Sequence, residues 1–206
     1  MITKGVKMGK IFYLMGKSAS GKDTLYSMIK EKMPDLKSVV LYTTRPMREG
    51  EENGVQYYFI TLPEYEELLN AGKIIEHRDY KTVHGIWSYM TVDDGQIDLE
   101  SFSYIMIGTL ESYNSLRKVL GTENMVPIYI TIDDGIRLQR ALDREKKQKE
   151  PKYAEMCRRF LADEADFAPD KLQNAGIKKA FVNEALDETY EEISSYIKEV
   201  LKDCLR

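Results

Sequence analysis

The sequence has little of several residue types, and each shortage narrows the range of functions. It contains two cysteines and two histidines in 206 residues. Cys157 and Cys204 lack the spacing of a metal site or a disulfide framework, so we expect reduced thiols in a cytoplasmic protein. No apolar run approaches the roughly 20 residues of a membrane span, and no signal-peptide apolar region is present. The net charge of −4 gives no general attraction to nucleic acid or anionic membranes, so we expect neither as a partner.

The composition suits one hydrophobic core. At 206 residues, with 43% hydrophobic and 31% charged residues, the chain is long enough to bury a good core and short enough to form a single domain with insertions. Any anion that this acidic chain binds must be held by a local basic cluster, and protein partners are left undefined.

The clearest functional motif is the segment Gly16-Lys-Ser-Ala-Ser-Gly-Lys-Asp-Thr24. It lies between a short apolar run, residues 11–15, and residues 24–32, whose apolar side chains recur at helical spacing. Strand, glycine loop and helix are the context of a phosphate-binding loop, where N–H groups point inward and the lysine reaches the β- and γ-phosphates. A glycine turn that happens to hold Lys22 is the simpler alternative, and the flanking segments favour nucleotide binding.

Asp23 stands where such loops usually carry a hydroxyl that contacts Mg²⁺. A carboxylate also binds this ion, although it repels phosphate when the metal is absent. An acidic residue in the first helical turn is favourable in its own right. The two roles are compatible, and Asp23 is the predicted metal ligand.

The rest of the pattern predicts an α/β fold with a parallel sheet. Two buried strands joined by a helix begin the chain, and short strands with one helix then form a small α+β insertion. The predicted strands are 11–15, 38–42, 55–60, 73–78, 87–91, 102–107, 126–132 and 178–182. The predicted helices are 24–32, 63–70, 110–120, 135–150, a second one after Pro151 through Phe167, and 186–205.

A second basic cluster follows the 38–42 run. Arg45 and Arg48 are three residues apart and held by a proline, so they can form a fork around a second phosphate, with the Tyr57 hydroxyl as a further donor. A solvated charged loop is the ordinary explanation of two such arginines. Their place beside a phosphate loop favours a phosphate site.

These motifs together closely resemble the guanylate kinase family and its nucleoside monophosphate kinase relatives. The resemblance rests on the glycine loop, on the pattern TTRxxRxGExxGxxYxF at 43–59 and on Ile75-Glu76. It implies a P-loop three-layer α/β/α core (about 8–42, 101–135 and 168–206), an acceptor-binding insertion (about 43–100) and a helical lid (about 136–167). Arginines of the lid and a polar residue after the last strand also match: Arg140, Arg144, Arg159 and Asn183.

The resemblance also implies ATP-dependent phosphorylation of a nucleoside monophosphate, most simply GMP or dGMP, with Mg²⁺. Arg45, Arg48 and Tyr57 would hold the acceptor phosphate, and Glu76 would accept hydrogen bonds from guanine. The implied ATP-binding residues are Gly16, Lys17, Ser18, Ala19, Ser20, Gly21, Lys22, Asp23, Thr24 and Asn183. The implied catalytic residues are Lys22, Arg45, Arg48, Arg140, Arg144 and Arg159.

Several positions depart from the family pattern, and they cluster around the acceptor base. Leu41 replaces a serine that touches guanine, and His84-Gly85-Ile86 replaces a segment with hydroxyl groups. Tyr80 or Tyr89 can supply the missing hydroxyl, and His84 can donate to phosphate when protonated. Gly108-Thr109 stands where the family has aspartates; Thr109 is kept as a candidate substrate contact. The metal-shell carboxylate would then have moved to Asp23.

Two other functions fit parts of the sequence. The Gly-Lys-Asp ending of the loop also resembles ribose 1,5-bisphosphate phosphokinases, which do not bind guanine, and this suits Leu41 and Thr109. A non-catalytic guanylate-kinase-like module that binds proteins is the second alternative, but such modules typically lose the loop lysine, and Lys22 is present.

Overall fold

The computed structural model describes residues 8–82 and 85–204. Its elements follow in chain order, with a short 3₁₀ turn at Thr122–Asn124. They are β1 (Ile11–Met15), α1 (Lys22–Lys32), β2 (Leu36–Ser38), β3 (Tyr42–Thr43), β4 (Tyr58–Phe59), α2 (Leu62–Asn70), β5 (Ile74–Thr82), β6 (Gly85–Val92), β7 (Ser103–Gly108), α3 (Leu110–Leu120), β8 (Met125–Thr131), α4 (Asp134–Lys146), α5 (Tyr153–Asp166), α6 (Pro169–Asn174), β9 (Ala180–Val182) and α7 (Leu186–Asp203).

The main sheet is parallel, and within the described residues its strand order is β2-β7-β1-β8-β9. The β1 strand, IFYLM, is buried on both faces, as parallel strands are when helices cover the sheet. Ile11, Tyr13 and Met15 pack with α3, whereas Phe12 and Leu14 pack with α1 and α7. The predicted three-layer α/β/α core is therefore confirmed.

The carboxyl ends of the parallel strands converge on one edge of the main sheet, which is where α/β folds bind ligands. The glycine loop follows β1 at this edge, and Thr109 begins α3 directly after β7. Asp133 caps α4 after β8, and Asn183 follows β9. The strand topology therefore brings the glycine loop, Thr109, Asp133 and Asn183 to the same edge of the main sheet.

A second sheet, formed between residues 42 and 92, has the order β4-β3-β6-β5. Its β5 and β6 strands are antiparallel, and β3 pairs with both β4 and β6. Leu41, Ile75 and Ile97 pack against the core cluster that contains Tyr13 and Leu110. This apolar contact holds the smaller sheet against the α3 side of the main sheet.

The predicted strand at 38–42 is wrong. The main sheet takes Leu36–Ser38, and Tyr42–Thr43 joins the smaller sheet. Between them, the backbone N–H of Val40 donates to Gln96 Oε1 at 2.9 Å, and Gln96 Nε2 donates to Val40 O at 3.2 Å. A side-chain amide therefore takes the backbone bonds that a strand partner would make.

Other boundaries differ for local reasons. The predicted strand at 55–60 is reduced to Tyr58–Phe59, because Asn53 Oδ1 accepts from Phe59 N and holds a turn before it. The α4 helix ends at Lys146 rather than at 150, where the carboxylate of Glu145 turns back to accept from Lys152 N at 2.5 Å. The α6 helix was not predicted, although Pro169 begins its first turn.

Among the described helices, none combines the length and apolar character that crossing a membrane requires. Both cysteines are free thiols; Cys157 is exposed and Cys204 partly exposed.

Candidate functional site

The glycine loop between β1 and α1 is shaped by close backbone contacts. A Cβ on Gly16 would overlap the carbonyl oxygen of Ile130, and a Cβ on Gly21 would overlap the side-chain amide of Asn183. Gly21 has a φ of +89° and Ala19 a φ of +63°. The left-handed conformation costs a residue with a side chain roughly 1–2 kcal/mol. The loop is therefore a strained, preformed turn at the start of a helix whose first N–H groups have no intrahelical acceptor.

Asn183 ties this loop to the end of β9. Its side-chain Nδ2 donates to the carbonyl of Ser20 at 2.8 Å, and its backbone N–H donates to Thr131 O at 2.8 Å. Arg140, from α4, donates through Nη2 to the carbonyl of Asn183 at 3.3 Å. The predicted ATP-binding residue Asn183 thus supports the loop, and Arg140 lies beside it.

Lys22 and Asp23 are the first two residues of α1, directly after Gly21. Lys22 Nζ is 3.4 Å from Asp23 Oδ2, and the Asp23 side chain is 82% exposed. Within the described residues no group of three His, Cys, Asp or Glu side chains is arranged as a metal cage. Mg²⁺ at phosphate sites commonly takes one carboxylate, several waters and substrate phosphates as ligands. Asp23 fits that type of site.

An ion cluster around the buried Arg137 joins the loop to α4 and α5. Arg137 of α4 is buried and donates to Asp134 Oδ1 at 3.0 Å, to Asp163 Oδ2 at 3.2 Å and to Glu164 Oε1 at 2.6 Å. Lys17 of the loop also contacts Glu164 at 2.6 Å. We call these five residues the Arg137 cluster.

The Arg137 cluster also contacts the backbone of the loop. The N–H of Ser18 donates to Asp163 Oδ2 at 2.7 Å, and the Arg137 guanidinium lies over the ring of Phe160, 4.0 Å from its centre. Loop, α4 and α5 are therefore held as one unit by charge-assisted bonds and a cation–π contact.

A cavity of about 140 Å³ opens between α4 and α5, beside Ser18. Arg144 and Arg159 line it, as do Lys152 and Glu155. Both predicted lid arginines have exposed side chains, and Arg159 Nε is 3.7 Å from Glu155 Oε1. A contact between these arginines and an anion near the loop stays a prediction.

Arg45, the first residue of the predicted acceptor site, is buried against Glu51. Its Nη1 and Nη2 donate to Glu51 Oε2 and Oε1 at 2.9 and 2.7 Å, and Nη1 also donates to Pro46 O. Hydrogen bonds from Arg45, and then one from the backbone of Arg48, lower the pKa of Glu51 to about 2. The Arg48 side chain is exposed, so a shared fork of the two arginines around phosphate stays a prediction.

Aromatic rings continue this face of the smaller sheet. The guanidinium of Arg45 is 5.6 Å from the ring centre of Tyr57. The Tyr89 ring centre lies 5.5 Å from that of Tyr57 and 5.6 Å from that of Tyr80. Burial raises the pKa of Tyr57, and Tyr89 adds to the increase. Of the two tyrosines that were candidates for the missing hydroxyl, Tyr89 lies between Arg45 and the rest of the sheet face.

Glu76 and Arg78 form the far end of the same face. Glu76 is buried, and its Oε1 accepts from Thr91 Oγ1 at 2.9 Å. Arg78 Nε lies 3.3 Å from Glu76 Oε2. Burial raises the pKa of Tyr13 on β1, while the charge of Arg78 opposes the increase and that of Glu76 adds to it. Ile75, the residue before Glu76, packs against the core cluster that contains Tyr13, so this end of the smaller sheet lies beside the main sheet.

Two predicted substrate residues remain without such a placement. Thr109 Oγ1 accepts from Ser112 N at 3.2 Å and caps α3, so a substrate contact by Thr109 stays a prediction. His84 lies outside the described residues.

Sequence reasoning missed Arg137, Glu51 and Arg78. Arg137, Ala141 and Glu145 recur at four-residue spacing and are all buried, a signal that one face of α4 packs inward despite its charges. The Glu51 partner of Arg45 lay inside the recognised pattern at 43–59. Arg78 could not be identified from the local sequence, because a buried arginine beside a ligand and an ordinary exposed arginine of an edge strand have the same sequence pattern.

Comparisons with known proteins agree on one family. The sequence model of "Guanylate kinase" matches residues 8–200. A guanylate kinase of Rhodopseudomonas palustris is 44% identical over 70 residues, which are 34% of this chain and 32% of that protein. One from Neisseria gonorrhoeae is 33% identical over 129 residues, 60% of this chain and 61% of that protein. The alignment thus spans about a third of the first relative's length.

The fold has a solved counterpart. The crystal structure of guanylate kinase from Anaplasma phagocytophilum matches with a TM-score of 0.62 over 96% of this chain and 89% of that chain, at 21% identity.

Proposed function

This chain belongs to the guanylate kinase family, and on that premise we propose that it transfers the γ-phosphoryl group of ATP to a nucleoside monophosphate, with GMP or dGMP as the acceptor. The products would be ADP and the nucleoside diphosphate. ATP and the monophosphate are then its small-molecule partners.

The observation that carries the proposal is the nearness of two polar surfaces, each of which we propose binds a phosphate. One is the glycine loop, where Ile130 O and the side-chain amide of Asn183 approach so closely that a side chain at Gly16 or Gly21 would overlap them. The other is the sheet face that begins at the buried Arg45 and ends at the buried Glu76, whose neighbour Ile75 packs against the core cluster that contains Tyr13 of β1. A kinase that joins two phosphate-bearing ligands needs such a pair of neighbouring surfaces.

The chain's own residues account for the transfer through positioning and charge. Phosphoryl transfer requires little covalent chemistry from the protein, since alignment and neutralisation of spreading charge provide most of the rate. The loop amides and Lys22 would hold the ATP phosphates, and Arg45 with Tyr57 would hold the acceptor phosphate. Arg140, Arg144 and Arg159 would approach the transferring group, and closure of their helices would exclude water.

Mg²⁺ would neutralise charge on the ATP phosphates when bound. Asp23 would hold it, and the exposure of its carboxylate beside Lys22 supports this assignment. The phosphates and water would supply the remaining ligands.

A coupled ADP-release assay tests the proposal directly. The acceptors are GMP, dGMP, AMP, CMP, UMP and ribose 1,5-bisphosphate, each with ATP and Mg²⁺. Turnover with GMP or dGMP above the other acceptors is the expected result. Turnover with ribose 1,5-bisphosphate alone would refute the proposal, and so would the absence of turnover with every acceptor.

A further inference from the structure

Glu76 and Arg78 form an ion pair that faces the acceptor side of the site. They lie two residues apart on β5, so their side chains share one face of the strand. Arg78 Nε is 3.3 Å from Glu76 Oε2, and the two side chains are only 10% and 1% exposed. Both charges are therefore removed from water.

The pair leaves hydrogen-bonding groups unsatisfied. Glu76 Oε1 has its partner in Thr91, but Glu76 Oε2 and Arg78 Nε are buried without a hydrogen bond of good geometry among the described residues. A buried polar group without a partner typically costs about 1–3 kcal/mol, more when it is charged. Such a cost is tolerated where a ligand completes the bonds.

The surroundings favour a flat ligand that bears an anion at one end. Arg78 lies directly opposite Tyr89 across the β5–β6 pair, and Tyr89 is in ring contact with Tyr57 and Tyr80. Arg45 lies over the ring of Tyr57 at the other end of this face. A phosphate at Arg45 would thus place an attached base near Glu76 and Arg78.

The pair offers a base an acceptor and a donor side by side. Guanine presents a carbonyl oxygen, O6, next to the N1–H and N2–H₂ donors, whereas adenine presents an amino group at position 6 and an acceptor at N1. Leu41, which packs against the core near Ile75, has no polar side-chain atom that can donate to O6.

We propose that Arg78 is a specificity-determining residue, which donates to the base carbonyl O6 while Glu76 accepts from N1–H and N2–H₂. The inference rests on the proposed function and deepens it. Adenine would bring its amino group against the Arg78 donors and leave both buried groups unpaired. A site that loses its paired polar groups rejects the wrong ligand by a factor of about 10⁴.

The test compares kcat/KM for two acceptors, GMP and an analogue altered at O6, in the unaltered enzyme and in Arg78→Met. 6-Thioguanosine monophosphate keeps N1–H and N2–H₂ but carries a sulfur, a weak acceptor, in place of O6. The unaltered enzyme is expected to favour GMP over this analogue roughly tenfold in kcat/KM. Arg78→Met is expected to lower kcat/KM for GMP by about 10–100-fold and to treat the two acceptors within about twofold.

The opposing result is equally specific. If Arg78 only holds Glu76 in place, Arg78→Met lowers kcat/KM for both acceptors by the same factor and the tenfold preference persists, which overturns the inference. Absence of turnover by the unaltered enzyme with both GMP and dGMP overturns the proposed function itself. The two failures are therefore distinguishable.

Further variants keep the test valid if Arg78→Met unfolds because Glu76 loses its counter-charge. Glu76→Gln and the double variant E76Q/R78M both lack the buried carboxylate charge, and each is assayed with GMP and with the 6-thio analogue. Loss of the preference for GMP in the double variant but not in Glu76→Gln supports the inference. The same preference in both variants refutes it. His77→Gln is the matched control, since His77 lies between the two residues but contacts Tyr65 on the other face of β5. It is expected to leave the preference unchanged.

Discussion

Replacing Arg137 with methionine tests the Arg137 cluster. Methionine keeps an apolar stem against Phe160 but removes the three hydrogen bonds to carboxylates. Asp134 and Glu164 are 51% and 42% exposed, and both retain Lys17 as a neighbour. Their share of the loss is therefore small, a few tenths of a kcal/mol each.

The main cost falls on Asp163, whose side chain is only 15% exposed. A lost hydrogen bond to a charged group costs about 1.5–3 kcal/mol. We expect Arg137→Met to reduce the free energy of unfolding by about 2–4 kcal/mol, which lowers Tm by roughly 5–15 °C in a chain of this length. Urea denaturation followed by circular dichroism measures the change.

The matched control is Arg158→Met on the neighbouring helix. Arg158 pairs with Glu155 three residues earlier and is well exposed, so its loss is expected to change stability by less than about 0.5 kcal/mol. A double variant, R137M/D163N, removes the stranded carboxylate and is expected to recover part of the loss. Equal unfolding midpoints for Arg137→Met and the unaltered protein would refute the reasoning.

Three further perturbations have defined outcomes. Because the pKa of Glu51 is lowered from its ordinary value of 4.5 to about 2, the ionised carboxylate stabilises the fold above about pH 4.5, and this stability is lost as pH falls toward about 2. The difference in urea midpoint between the unaltered protein and Glu51→Gln should therefore shrink when the pH is lowered from about 6 to about 3. A constant difference would contradict this. Gly21→Ala should lower kcat/KM for ATP about 100-fold by displacing Asn183, whereas Gly95→Ala, with open space around it, should leave that value unchanged; comparable losses in both would contradict the loop geometry. Asp23→Ser should raise the Mg²⁺ concentration for half-maximal rate roughly tenfold, and unchanged Mg²⁺ dependence would count against the metal role.

The strand–loop–helix context of the glycine loop and the parallel main sheet could be predicted from the sequence, because their signals are local or periodic. A run that is apolar at every position, IFYLM, indicates a strand buried on both faces, and the loop after it can only lie at the ligand-binding edge. Asn183 was found through the resemblance, and the structure gives its physical reason in the contact with Gly21 and Ser20.

Side-chain partners that are distant in sequence escaped prediction. Val40 is apolar and strand-like, yet the Gln96 amide, 56 residues later, takes its backbone bonds. Arg137 lies in a helix whose charges suggested an exposed face, and its partner Asp163 comes from the following helix. Arg78 stands out only in the structure, where its side chain is nearly buried beside the buried carboxylate of Glu76.

The bond between Asn183 and Ser20 spans 163 residues of chain. During synthesis on a ribosome, the first strand, the loop and α1 emerge long before β9, so the loop lacks its amide support until nearly the whole chain has been made. The shape of the loop is therefore completed only after β9 has been added to the main sheet, and a chain cut before residue 183 would lack this contact.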